Sequence, residues 1–158
     1  PDVSLTLNGC LAGLVAITAG CASVSANGAL AIGGAAGILM VLSVEFFDKK
    51  ARIDDPVGAI SVHGICGGFG TIMVGIFAKE GGLLYGGGLG LLGVQTLGII
   101  SAAAFAAAMA FAAFGIMKAV KGIRVSDSEQ QEGLDIGEHG INAYSEMIKM
   151  DKFAELEL

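Results

Sequence analysis

Three stretches of this chain carry no fixed charge: residues 3–44, residues 56–78, where only His63 can ionise, and residues 81–117. Apolar runs of about 18 residues or more have the length of membrane spans. The first run is too long for one helix. It breaks at "GCASVSANG", residues 20–28, where small polar residues cluster and Asn27-Gly28 signals a turn. The pattern therefore predicts an all-α, polytopic membrane helix bundle. Its four helices cover residues 3–22, 27–47, 56–78 and 91–120, and a polar tail follows over residues 121–158.

The polar connections orient these helices. Lys49, Lys50 and Arg52 lie between the second and third helices, and Lys118, Lys121 and Arg124 close the fourth. Both clusters mark a cytoplasmic side by the positive-inside rule. The second helix then runs inward, the third outward and the fourth inward, with the C-terminus in the cytoplasm. Asp55 is expected to cap the third helix and Pro56 to take its first position, where a missing N–H costs nothing. That helix would be about 34 Å long at 1.5 Å per residue, enough to cross the hydrocarbon core. The fourth is longer than a minimal span and should tilt or protrude. Small residues recur at four-residue spacing: Gly9 with Gly13, Gly33 with Gly37, Gly64 with Gly68, Gly86 with Gly90. In lipid such pairs let helix backbones approach closely.

Length alone, 158 residues, would fit one soluble domain. The charge distribution is what rules that reading out. The net charge of −6 is also misleading as a whole-chain figure. Nine acids and four bases lie from Lys121 onward, against six and five before it. The acidity belongs to the tail, and no basic face suggests nucleic acid. Cys10, Cys21 and Cys66 are odd in number, form no CxxC and lie in apolar stretches. They are expected to be small buried residues, reduced and without metal. The chain opens at Pro1 with no basic segment before the first apolar run. No signal peptide is expected, and the chain has the look of a piece of a longer protein.

The candidate chemistry centres on His63. On a regular helix starting at Pro56 it shares a face with Ala59, Gly67 and Gly70, about 10 Å in from the cytoplasmic end. A buried imidazole tends to be neutral, with one donor and one acceptor to satisfy. Ionisable residues within a membrane are functional candidates by default, and an interhelical hydrogen bond is the other reading. Thr18 is the second polar side chain of note. Its hydroxyl either bonds back to its own helix or lines a pore. There is no HExxH, no carboxylate pair within a span and no GxxxxGK[ST]. Neither enzymatic chemistry nor a cofactor is expected.

Three ordered blocks carry a resemblance: "LNGCLAGLVAITAGCASVS" at residues 7–25, "DDPVGAISVHGICGGFGTIMVGIFA" at 54–78 and "EGLDIGEHGINAY" at 132–144. Together they resemble the ammonium transporter (Amt/Mep/Rh) family. The resemblance implies an eleven-helix fold built as two inverted halves of five plus a long last helix. This chain would supply the eighth to eleventh helices and the cytoplasmic tail. It also implies a multi-pass protein of the plasma or inner membrane, lying in the lipid bilayer as a homotrimer with one pore per subunit. The substrate would be ammonium or ammonia. His63 matches one member of the family's pore histidine pair; Ala59, from its place on the same helix face, and Thr18, as a polar side chain within a span, are the other pore candidates. The other histidine, the phenylalanine gate and the ammonium-recruitment site belong to the first seven helices and are not in this chain.

The resemblance gives Gly133, Asp135, His139 and Gly140 to a regulatory tail that packs beneath the membrane. A PII-type signal protein plugs the cytoplasmic mouth in prokaryotic members. Certain plant members carry a regulatory threonine where Gly137 stands here. His139 lies in a hydrophilic segment without a ligand cluster and reads as exposed or as holding a turn. "SEMIKMDKFAELEL", residues 145–158, reads as a short amphipathic helix or as disorder. Two other functions fit the same residues. One is an ammonium sensor coupled to a signalling module, and the other is an unrelated small-solute channel.

Overall fold

A computed structural model describes residues 3–141. The helices in chain order are α1 (Val3–Thr18), α2 (Ala26–Phe46), α3 (Cys66–Phe77), α4 (Gly90–Val120), α5 (Asp127–Glu132) and α6 (Leu134–Gly137). Two π-helical segments interrupt the regular pattern. Phe47–Ala51 extends α2, and Ile60–Ile65 leads into α3. A 3-10 turn lies at Leu83–Tyr85. Among the described residues the only β pairing is an isolated bridge, Val24 with Ala78. The fold is all-α. Ala26–Ala51, Ile60–Phe77 and Gly90–Val120 are long and apolar enough to cross a membrane, and Val3–Thr18 is a shorter apolar helix.

The chain divides into two units, Pro1–Ala108 and Met109–Leu158. The division falls inside α4. In the first unit α1, α2 and the third helix pack together. Each contributes one stripe at four-residue spacing: Ala12 and Ala16; Ile32, Ala36 and Met40; Val62 and Cys66, all buried. Small residues form the crossings. A Cβ on Gly13 would lie 3.5 Å from the Gly33 carbonyl oxygen, and one on Gly37 would lie 3.9 Å from that of Gly9. Those contacts run α1 antiparallel to α2. Gly70 meets α1 at Ala16, and no Cβ fits there because it would strike the Ala16 backbone. Gly75 meets Leu92 of α4 in the same way.

α1 stops at Thr18, four residues before the expected end. The Gly20 N–H turns back to the Ile17 carbonyl, and Ser23 and Val24 both donate to Gly20. This turn is held by the loop after α3: Lys79 N–H donates to the Ser23 carbonyl at 2.9 Å. Ser25 then caps α2, its hydroxyl accepting from the Gly28 N–H at 3.1 Å. The Tyr85 hydroxyl donates to Ser25 Oγ at 3.4 Å, which ties the 3-10 turn to the same corner. Cys66 is buried, with its Sγ 3.5 Å from the Ala36 carbonyl oxygen, but Cys10 and Cys21 are exposed. The stripe that faces the other helices passes through Ala12 and Ala16, so Cys10 falls beside it and Cys21 lies in the turn.

The second unit holds the end of α4 and two short helices. α5 begins with a capping box: Ser126 Oγ accepts from the Glu129 N–H, and the Glu129 carboxylate accepts from the Ser126 N–H. The Ser126 hydroxyl also donates to that carboxylate, and these bonds hold the Glu129 carboxyl below its usual range.

Candidate functional site

The third helix starts later than Pro56. Asp55 to Gly58 form a turn closed by the Gly58 N–H on the Asp55 carbonyl at 3.0 Å, with Pro56 at the second position. Gly58 has φ +71, a conformation costly for any residue with a Cβ. It is also crowded: an added Cβ would lie 2.8 Å from Asn8 Nδ2 on α1. The same Asn8 amide donates to the Val57 carbonyl at 3.3 Å. Helical bonding begins only beyond this contact, with the Val62 N–H on the Gly58 carbonyl at 2.7 Å. Pro56 is therefore a turn residue and not the first residue of the helix.

Asp55 does cap the helix, from further away than an N-cap residue would. Its carboxylate accepts from the backbone N–H of Ile60 and of Ser61, both at 3.0 Å, and from the Ser61 hydroxyl at 2.9 Å. Burial raises its pKa, but these hydrogen bonds outweigh burial and hold the carboxyl below its ordinary value. The helix that follows opens with π geometry, in which the Cys66 N–H reaches back five residues to the Ser61 carbonyl. Wide turns of this kind concentrate at functional sites.

His63 sits inside that wide turn. It lines a groove of about 630 Å³ bounded by three helices of the first unit. Val15, Thr18 and Ala19 form one wall, and Gly64, Gly67, Gly68 and Thr71 share the His63 side. Ile99, Ala102, Ala103 and Ala106 of α4 complete it. The wall chemistry is therefore glycine, alanine and short aliphatics around one imidazole. The two threonine hydroxyls are already committed as donors. Thr18 donates to the Leu14 carbonyl at 2.8 Å and Thr71 to the Gly67 carbonyl at 3.0 Å. The ring of His63 is exposed to the groove.

Ala59 is exposed and does not line the groove, a correction to the expected face. It adjoins Gly58, which packs at the level of Asn8. The groove begins at Val15, seven residues along α1 and about 10 Å higher at 1.5 Å per residue. Of the expected pore residues the structure brings His63 and Thr18 together and leaves Ala59 outside. Asn8, Gly58 and Ser61 were not anticipated. The available signals were an amide in an uncharged helix, a glycine two residues after a proline, and a serine six residues after an aspartate.

The tail residues are described in the second unit. Gly133 has φ +88 and separates α5 from α6; Gly140 has φ +65 and returns its N–H to the Ile136 carbonyl. Both act as chain-turning positions that suit glycine. Asp135 is half-buried, its carbonyl accepting from the Ile141 N–H at 3.1 Å. His139 is exposed. Residues 142–158, which include the end of the third block and the expected amphipathic segment, lie outside the described residues.

Comparison with known proteins gives the family of the chain. Residues 1–144 match the Ammonium Transporter Family. The chain is 43% identical to ammonium transporter Amt2 of Archaeoglobus fulgidus over 160 residues, covering 94% of this chain and 34% of the relative. It is 37% identical to ammonium transporter Amt1 of Haloferax mediterranei, covering 94% of this chain and 28% of the relative. Ammonium transporter 1 of Dictyostelium discoideum is 33% identical, with 91% of this chain and 32% of the relative covered. The chain thus spans about a third of the length of the curated relatives it matches. With the family match extending over residues 1–144 and these relatives aligned over more than nine-tenths of it, the chain belongs to the ammonium transporter family.

Proposed function

We propose that this chain contributes the second-half wall of a membrane passage for ammonium or ammonia, with His63 as the residue that handles the substrate. The observation that carries this reading is the groove itself. A single imidazole projects into a space otherwise walled by glycine, alanine and aliphatic side chains, and the neighbouring hydroxyls already donate to their own helices. A bare ammonium ion is costly in such surroundings, because desolvating a charge is expensive. Ammonium that sheds its proton leaves ammonia, a small neutral molecule that apolar walls tolerate. A neutral imidazole can accept a hydrogen bond from ammonia or donate one to it, and it can relay the proton.

In this reading the chain supplies the eighth to eleventh helices and the tail of an eleven-helix subunit. A second histidine from the other half completes the pair, and three subunits assemble in the plasma or inner membrane. The clusters Lys49, Lys50, Arg52 and Lys118, Lys121, Arg124 support a cytoplasmic C-terminus by the positive-inside rule. The turns at Gly133 and Gly140, with Asp135 and His139, form a tail that takes part in regulation, including contact with a PII-type signal protein where one is present.

The test is His63→Ala in the full-length protein, read by uptake of a methylated ammonium tracer normalised to assembled protein in the membrane. Uptake is expected to fall sharply with little loss of folding, because the ring occupies a groove and fills no buried volume. Normalised uptake equal to wild type would end the reading. If the ring served only as an interhelical hydrogen bond, stability would fall by about 1 kcal/mol and uptake would follow protein amount alone.

A further inference from the structure

We infer that Asn8 is a positioning residue for His63, acting across the helix interface through Gly58 and together with Asp55. The inference starts from the departure of the third helix from regular geometry. A helix begun at Pro56 would continue in α register through His63. The observed chain instead makes a turn, takes a left-handed step at Gly58 and enters a π segment at Ile60–Ile65.

Two contacts hold that departure in place. Asn8 of α1 sits against Gly58, donates to the adjacent Val57 carbonyl at 3.3 Å, and its Nδ2 would have to shift from 2.8 Å to admit a Cβ on Gly58. The start of the helix is thereby fixed to α1, which also forms the opposite wall of the groove through Val15 and Thr18. On the other side Asp55 takes up the free N–H groups of Ile60 and Ser61 together with the Ser61 hydroxyl. A helix start is where N–H groups lack intrahelical partners, so whichever group accepts them selects the register that follows. With both ends of the turn pinned, the wide turn lies at Ser61–Cys66, and His63 lies within it on the same groove as Gly67 and Gly68. Because π geometry is the rarer state, loss of these contacts is expected to return the segment to α geometry. That relaxation rotates residue 63 relative to α3 beyond it.

The purpose assigned to this device rests on the transport role given to His63, but its geometry is measurable without transport. In the full-length protein, single thiols are placed by Val62→Cys, His63→Cys, Gly64→Cys and, separately, Ile65→Cys. Each is labelled with a small positively charged methanethiosulfonate, and labelling is read site by site by peptide mass spectrometry so that Cys10 and Cys21 do not interfere. Labelling is expected to be fastest at positions 63 and 64. Adding Asn8→Ala should slow labelling at 63 several-fold and raise it at a neighbouring position. In the protein with His63 intact, Asn8→Ala should lower the maximal tracer uptake per assembled protein while leaving its KM unchanged, because the substrate entrance is untouched.

Asp55→Asn leaves Asn8 and all buried side chains in place, and it should produce the same shift. This second variant decides the question if Asn8→Ala fails to reach the membrane. An unchanged labelling profile overturns the inference, whether uptake falls or not. A shifted profile alongside normal uptake by His63→Ala would keep the positioning geometry and discard the transport role, so the two failures are distinguishable.

Discussion

Glycine is used in two opposite ways on the two sides of α1. Toward α2 and toward the inner face of the third helix, Gly13, Gly33 and Gly70 let backbones touch, and at Gly70 no side chain fits at all. On the groove side Gly67 and Gly68 have room for a methyl group. Added Cβ atoms there would meet Val15 at 3.5 Å and Ile99 at 3.7 Å, which are ordinary contacts. The residues are only two or three positions apart on one helix. Small residues in this bundle therefore serve close packing on one face and line an open groove on the next. Lipid supplies no hydrophobic force to tell the two apart, so packing alone decides.

This contrast can be broken by substitution. The largest effect is expected at Gly70→Ala. The methyl would collide with the Ala16 backbone, which cannot rotate away. A loss of about 1–3 kcal/mol is typical of overpacking, and a thermal unfolding scan of the purified full-length protein should show it. Stability equal to wild type would mean that α1 and the third helix are not locked at this crossing.

Gly68→Ala is the matched control on the groove side. Helix propensity favours alanine over glycine by up to about 1 kcal/mol, and nothing at the site opposes the methyl. Stability should hold or rise slightly, while tracer uptake falls because the passage narrows. Unfolding at lower temperature than wild type would place Gly68 with the packing glycines.

The pH dependence of the groove's lower end should be smaller and confined to acid. The Asp55 carboxyl lies below its ordinary value of 3.8 in the folded chain. Its contribution to stability is therefore complete above that value and is lost as pH falls through the lower folded-state value. Thermal unfolding measured from pH 6 downward should show an acid-side loss that Asp55→Asn lacks. The same slope in both proteins would show that another carboxylate is responsible.

The smallest effect is expected from Thr18→Val. The Thr18 hydroxyl already donates to Leu14, and valine keeps the volume, so uptake should change little. A large fall would mean that its oxygen meets the substrate as an acceptor.

Much of this is legible from the residues in order. Uncharged apolar runs give the helices, because charge is costly in a bilayer core. His63 stands out as the only basic group in its run. The small-residue pairs on α1 and α2 do form that crossing. Gly64 and Gly68 instead face the groove, and a repeat of small residues looks the same in both cases. The start of the third helix is misread from sequence for a related reason. Asp55 and Pro56 are good capping residues locally, but Asn8, some fifty positions earlier, fixes the turn at Gly58. Ala59 falls on the groove in a helical wheel because the wheel reports angle and not height along the neighbouring helix.

What the sequence determined by itself is the apolar character of each segment and the one imidazole within it. Hydropathy and charge set these locally, residue by residue. What the tertiary structure decided is which small residues touch, where the π turn falls and how high on α1 the groove begins. These depend on which backbone arrives opposite each residue, and sequence periodicity carries no information about the partner helix.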